Sequence, residues 1–147
     1  MRQVLLAICI IVTSCGTFYY PYIRLRVEAP NRPLENRQTR MIAEQVAMVA
    51  IAHGFKEVPN LGPDAVRVDP SLDGSRLFLL SNEVALLWKP AINELYITPN
   101  EQRRGSLSMM DNVAEALTRE IQQLFPELKI RRVDGERAAK VSWPSPI

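Results

Sequence analysis

The segment from Asp69 to Gly74 has the spacing closest to that of a chemical site in this chain. Asp69, Ser71 and Asp73 place side-chain oxygen atoms at alternate positions, and Gly74 permits a sharp turn. This is the first half of a calcium-binding loop, in which a bidentate glutamate at position 12 completes the coordination. Leu80 occupies that position. An ordinary Asp-Gly turn is therefore preferred, and we predict no metal site.

His53 is the only histidine of the chain, which limits acid-base and metal chemistry. A single imidazole cannot build a cluster of histidine ligands for zinc. Close to the end of a predicted helix, a histidine is favourably placed as a cation. A hydrolase that uses His53, Asp69 or Asp73 is the alternative. Because the sequence contains no phosphate loop, dinucleotide fingerprint or Gly-x-Ser-x-Gly elbow, we predict no catalytic residue and no cofactor.

The first residues have the pattern of a secretory signal peptide. A short basic start, Met1 to Gln3, precedes an uncharged apolar run from Val4 to Val12. This run is too short for a helix that spans a bilayer, which needs about 20 apolar residues. We therefore predict that residues 1–14 are a signal peptide and are removed on export.

The residues that follow, Val12-Thr13-Ser14-Cys15, resemble the lipobox of bacterial lipoproteins, in which an aliphatic residue and two small residues precede a cysteine. The resemblance covers only the start of the chain. It implies cleavage before Cys15, a lipid on the sulfur of Cys15, and anchoring to an envelope membrane. Gly16 stands where an aspartate would retain such a protein at the inner membrane, so the resemblance implies the periplasmic side of the outer membrane. The alternative is an ordinary signal peptide cut elsewhere, or a buried N-terminal strand.

Cysteine usage and charge agree with an exported, anchored domain. Cys9 lies inside the apolar run, so the mature chain would keep only the acylated Cys15 and could form no disulfide. Eighteen basic and 16 acidic residues give a net charge of +2, which does not indicate a nucleic-acid partner.

Residues 15–21 are predicted to be a short linker beside the membrane, and residues 22–147 a single domain.

The hydrophobic periodicity predicts strands and two helices in that domain. Alternation from Tyr22 to Glu28 indicates a half-buried strand, and a helix that begins between Pro33 and Thr39 is expected to stop at Gly54. Further strands are expected at 76–80, 84–89, 94–98 and 128–133, and a second helix carries Val113, Leu117, Ile121 and Leu124. Asp134-Gly135 is a hairpin signal into a last strand at 136–143.

This order predicts an α+β fold, a two-layer sandwich with two helices on a largely antiparallel sheet. Strand, helix, strands, helix, strand is the order of a ferredoxin-like domain, although the additional strands leave other two-layer folds open.

Two of the predicted strands are apolar on both faces, which is unusual because an antiparallel sheet commonly turns one face to water. Successive strand residues point in opposite directions, so one helical layer cannot cover both sets. The two sets are Leu77, Leu79 and Leu87, and Phe78, Leu80, Leu86 and Trp88. We therefore expect a non-enzymatic envelope lipoprotein that binds a protein partner, or a second copy of itself, through the second sheet face or through the exposed side of the first helix.

Two other groups of residues leave open a role in ligand binding. Arg131 and Arg132 belong to a basic group around the predicted last hairpin that could bind anionic lipid or glycan, although acidic neighbours dilute it. Trp88 and Tyr96 could stack on a sugar or anchor a protein contact, although aromatic residues are also common in hydrophobic cores. Leu77, Leu79, Leu87, Trp88, Arg131 and Arg132 are thus the candidate interaction residues.

The lipobox resemblance makes a direct prediction. Cys15→Ala should abolish acylation and leave unprocessed precursor, because the thiol is the lipid acceptor. Metabolic labelling with a radioactive fatty acid measures this, with Cys9→Ala as the matched control that keeps its label. Label on the Cys15→Ala protein would contradict the lipoprotein interpretation.

Overall fold

The computed structural model describes residues 17–59, 67–80, 84–99 and 105–140. The signal peptide, Cys15 and Gly16 lie outside these ranges. The described chain forms an antiparallel sheet with the strand order β2-β3-β4-β5-β1-β6. The elements are β1 (Thr17–Glu28), α1 (Asn36–Ala52), β2 (Lys56–Val58), β3 (Arg76–Leu80), β4 (Val84–Lys89), β5 (Glu94–Pro99), α2 (Gly105–Leu124) and β6 (Lys129–Lys140). Within the residues that the structure describes, neither helix is long and apolar enough to cross a membrane.

The prediction of an α+β fold with two helices on an antiparallel sheet is confirmed. The connection from β5 through α2 to β6 places β1 between two parallel strands, which is the split βαβ arrangement of ferredoxin-like domains. Four strands separate the helices instead of two. The additional pair is β2 and β3, and β2 was not predicted because three residues are too few to show a period.

Both helices cover the same sheet face. On that face every second strand residue is apolar and belongs to one core with the helices. Ile23 lies opposite Ile97, and Leu25 lies opposite Leu95, with all four side chains buried. The helices bury a matching set of side chains against these strands: Ile42, Val46, Val49 and Ala50 from α1, and Met110, Val113, Ala114, Leu117 and Ile121 from α2.

The predicted end of α1 is confirmed at Gly54. His53 is the C-cap, and Gly54 has a φ of 84°, in the left-handed region that glycine adopts without steric cost. The backbone N–H of Phe55 then donates to the carbonyl of Ala50 at 3.0 Å, and its ring is buried in the core. The reversal therefore satisfies a terminal carbonyl of the helix and directs the chain into β2.

The predicted hairpin at Asp134-Gly135 is wrong, because β6 continues through both residues and pairs with β1 along its whole length. Gly135 does not have the positive φ that a type I′ turn requires. It lies opposite Tyr22, and a Cβ atom at Gly135 would come within 2.5 Å of the Tyr22 hydroxyl oxygen. The glycine thus makes room for an aromatic ring of the neighbouring strand.

The predicted linker at residues 15–21 is also wrong for most of its length. β1 begins at Thr17, five residues before the predicted start, and its first residues pair with the end of β6. Pro21 interrupts the apolar alternation in the sequence. Proline is tolerated in a strand where its missing N–H costs no ladder bond. The strand therefore extends almost to Cys15.

The contact between Tyr22 and Gly135 can be tested by a double-mutant cycle. Gly135→Ala should destabilise the fold by about 1–3 kcal/mol, because the new methyl group overpacks against the Tyr22 ring. In a Tyr22→Ala background the same change should be neutral or stabilising, since alanine suits a strand better than glycine by roughly 0.5–1 kcal/mol. Denaturant unfolding measures both values. An equal loss of stability in the two backgrounds would instead indicate a turn at Gly135.

Candidate functional site

The sheet face opposite the helices is formed by the second set of alternating strand residues. On β3 and β4, Leu77 lies directly opposite Leu87, and Leu79 lies opposite Ala85. All four side chains are half-buried. In the described ranges both helices pack on the other face, so no helix covers these side chains. The prediction that the two apolar sets face opposite ways is confirmed.

Trp88 does not belong to this face. Its side chain is completely buried in the core, opposite Leu95 on β5, so it cannot contact a partner. Tyr96, the other aromatic candidate, is half-buried and lies opposite Leu87 on the outer face. We call the half-buried apolar residues on the outer face of β2, β3 and β4 the leucine patch. Its members are Val58, Leu77, Leu79, Ala85 and Leu87, with Tyr96 at its border.

On β5 and β1 the same sheet face carries charged side chains. The Tyr96 hydroxyl donates to Glu94 Oε2 at 2.5 Å, and Arg24 Nη1 lies 3.9 Å from Glu94 Oε1. Glu94 is only 7% exposed, so this carboxylate depends on its neighbours for compensation. Burial, and next the hydrogen bond to Glu94, raise the pKa of Tyr96, while Tyr96 and Glu94 raise the pKa of Arg24. The network thus favours the protonated forms of the Tyr96 hydroxyl and the Arg24 guanidinium.

The loop from Asp69 to Gly74 is held to this face by Lys89. Lys89 Nζ lies 3.0 Å from Asp69 Oδ2 and 3.1 Å from Ser71 Oγ, and 5.5 Å from the centre of the Tyr96 ring. Asp69 also accepts hydrogen bonds from the N–H and the hydroxyl of Ser71, at 3.0 and 2.6 Å, and so caps a short 3₁₀ helix at Pro70–Leu72. These contacts give Asp69 the role of a turn anchor.

The geometry does not assemble the residues considered for metal binding or hydrolysis. No group of three metal-binding side chains comes together in the part of the chain that the structure describes. His53 Nδ1 lies 2.9 Å from the carbonyl oxygen of Val49, in the last turn of α1. His53 thus belongs to the helical layer, whereas Asp69 contacts Lys89 on the opposite side of the sheet. His53 therefore does not share a cleft with Asp69, or with Asp73 of the same loop, the other groups considered for a hydrolase.

The two arginine candidates also lie on different faces. Arg131 is exposed on the outer face, opposite Arg26 of β1. Arg132 points to the helical side, where it forms ion pairs with Asp111 of α2 and with Asp134, the latter at 2.8 Å. They do not form a single basic surface.

Two features of the helical side were not identified residue by residue from the sequence. Met48 and Ile51 of α1 are 61% and 62% exposed, and Met41 lies on the same side at 37%. The nearly all-apolar pattern of α1 was the available signal for this stripe. A groove of about 490 Å³ also runs between α2 and β6. The sequence carries no signal for the groove, because the distance between a strand and a helix is set by tertiary packing.

Comparisons with protein-family models, with curated proteins and with solved structures found no match to this chain.

The role of Asp69 can be tested through its titration. Hydrogen bonds from Ser71, and then from Lys89, lower its pKa from an ordinary value of 3.8 to about 2. Because the folded-state pKa is depressed, the stabilisation is present above about pH 4 and is lost as the pH falls through about 2. Ser71→Ala should move the pKa of Asp69 upward, as measured by carboxyl NMR. Ser75→Ala in the same loop is the control and should leave it unchanged. An unaltered Asp69 titration in Ser71→Ala would contradict the anchor role.

Proposed function

We propose that this protein is an envelope lipoprotein, anchored through Cys15, that acts as a non-enzymatic protein-interaction module. The leucine patch is the observation that carries this proposal. Leucines paired across two strands on the face away from the helices are unusual in an antiparallel sheet, whose outer face is ordinarily polar.

The packing of the leucine patch favours a protein contact over simple exposure. Leu77, Leu79 and Leu87 adjoin one another and form a continuous apolar area, whereas single exposed apolar residues are common on any surface. Contiguous apolar areas on a domain surface mark interaction sites. The polar network of Glu94, Tyr96 and Arg24 borders the area on one side, as a polar rim borders the apolar centre of many interfaces.

The exposed side of α1 is a second candidate surface. Met48 and Ile51 are more exposed than any leucine of the patch, and methionine adapts to varied partners. The α1 stripe is narrower, however, because Glu44, Gln45 and other polar residues adjoin it. The leucine patch is therefore the preferred contact surface, and the stripe is tested beside it.

The membrane anchor rests on the N-terminal sequence, since Cys15 lies outside the described residues. The signal-peptide pattern and the lipobox support it, and the outer membrane follows from Gly16 by the same resemblance. A domain without a thiol of its own is also consistent with export, because it needs no disulfide to form.

The proposal predicts different outcomes for two variants, each of which introduces one negative charge. Leu79→Glu should weaken self-association or partner capture at least about fivefold, roughly 1 kcal/mol, because it places a charge in the apolar contact. Its fold should survive, since Leu79 is half-buried and Lys56 lies opposite it as a counter-charge. Met48→Glu is the matched control on α1 and should bind as the parent does.

Sedimentation of the purified full chain and cross-linking in intact membranes measure association, and thermal melting checks the fold. If Met48→Glu loses the contact while Leu79→Glu keeps it, α1 is the interaction surface. If both variants retain every contact of the parent protein, neither surface serves a partner.

A further inference from the structure

The outer edge of β6 is an unpaired strand edge of unusual length. β6 has 12 residues, whereas strands average about 5–6 residues, and it is the last strand of the sheet. Within the described ranges no strand pairs with its outer side. The opposite edge strand, β2, has only 3 residues. Proteins ordinarily keep edge strands short or covered, because open N–H and C=O groups template further pairing.

The direction in which the unpaired N–H and C=O groups of β6 point follows from the hydrogen bonding of its neighbour, β1. The N–H of Val27 in β1 donates to the carbonyl of Asn93 at 3.0 Å, so the backbone of Val27 points toward β5 and away from β6. Val27 lies opposite Ile130. In such a pair both residues direct their backbone groups away from each other. Ile130, Arg132 and Asp134 therefore present their N–H and C=O groups at the open edge.

The groove between α2 and β6 lies beside the same residues. Ile130 and Arg132 line it from the strand, and Thr118, Arg119 and Gln122 line it from the helix. An added strand lies about 4.8 Å from β6, and its alternate side chains point to the helical face. Those side chains would enter the groove. The edge supplies main-chain hydrogen bonds, and the groove supplies contacts that distinguish one side chain from another.

Charge selects among the occupants of this edge. On the outer face the edge carries the exposed Lys129 and Arg131 and, from residue 129 to 135, no acidic side chain, whereas on the helical face Arg132 is already paired with Asp111 and Asp134. The groove itself is not basic, because Arg119 pairs with Glu120 at 3.3 Å and Glu115 also lines it. A second copy of β6 would bring the same two basic side chains to the outer face and, between residues 129 and 135, no acidic partner for either. A strand with acidic side chains on the outer face and uncharged side chains toward the groove would be complementary.

We infer that the outer edge of β6 and the α2–β6 groove bind an extended acidic segment of a partner protein by strand addition. This site is separate from the leucine patch and does not depend on the lipid anchor, so each proposal can fail without the other.

The test uses the purified full chain and labelled synthetic decapeptides. A peptide of five Thr-Glu repeats should bind at least about tenfold more tightly than one of five Thr-Lys repeats, as measured by fluorescence anisotropy at low salt. Methylation of alternate backbone nitrogens in the Thr-Glu peptide should abolish binding, because it removes the donors of the ladder. This arm requires no change in the protein.

A pair of variants at Asp134 then locates the site. Asp134→Pro removes one outward N–H without a loss of pairing to β1, since proline is accepted at an edge where its nitrogen faces outward. It should weaken binding at least about tenfold. Asp134→Ala keeps the N–H, removes the acidic side chain, and should bind the Thr-Glu peptide as well as the parent or better.

Several results would overturn the inference. They are equal affinity for the two peptides, no binding of either at millimolar concentration, retained binding of the methylated peptide, or equal binding by Asp134→Pro and Asp134→Ala. A dimer that Asp134→Pro dissociates would instead show that a second copy occupies the edge.

Discussion

Both helices cover one face of the sheet, and the surfaces of this protein follow from that constraint. Side chains along a strand alternate between faces, so a one-sided helical layer leaves every second strand residue without a helical neighbour. Phe78, Leu86 and Trp88 meet the helices and are fully buried. Leu77, Leu79 and Leu87 then lie on the other side, where they are half-buried. The leucine patch therefore follows from the period of the strands, given where the helices pack.

The outer face is divided by the kinds of residue that its strands carry. On β3 and β4 the outward positions are apolar except for Lys89 at the end of β4, whereas on β5, β1 and β6 they include Glu94, Arg24 and Arg131. Tyr96 lies at the boundary, with its ring beside Leu87 and Lys89 and its hydroxyl bound to Glu94. A buried carboxylate is tolerated there because a neighbouring hydroxyl and guanidinium compensate its charge.

Prediction from the sequence succeeded where a pattern was long and local. The end of α1 at Gly54 and the opposed sets of β3 and β4 were predictable because glycine geometry and strand alternation act over a few residues. The continuation of β6 through Gly135 was not, since its cause is Tyr22 on another strand, more than 100 residues earlier in the chain. An isolated Asp-Gly pair indicates a turn, and only the long-range pairing with β1 overrides that local preference.

The same distinction explains what was and was not foreseen about the candidate surfaces. β2 has no detectable period, yet the pairing of Arg76 with Glu57 fixes it to the sheet through hydrogen bonds of 2.7 and 2.9 Å. The groove beside β6 depends on the distance between an edge strand and a helix, which a sequence period does not encode. Periodicity identifies which residues share a face, whereas the spaces between elements are set by tertiary packing.

The long pairing of β1 with β6 also changes what a lipid on Cys15 would do. β5 pairs with β1 only at Ile23 to Arg26, so in the described ranges residues 17–22 pair with β6 alone. Six residues of a two-stranded ribbon span roughly 20 Å. With an anchor at Cys15, only Gly16 would separate the lipid from this ribbon, and the ribbon would link the membrane to the body of the sheet. A paired ribbon restricts orientation far more than a flexible linker, because its backbone groups are fixed in a ladder. The proposed anchor would therefore direct the leucine patch and the β6 edge as well as hold the protein at the membrane.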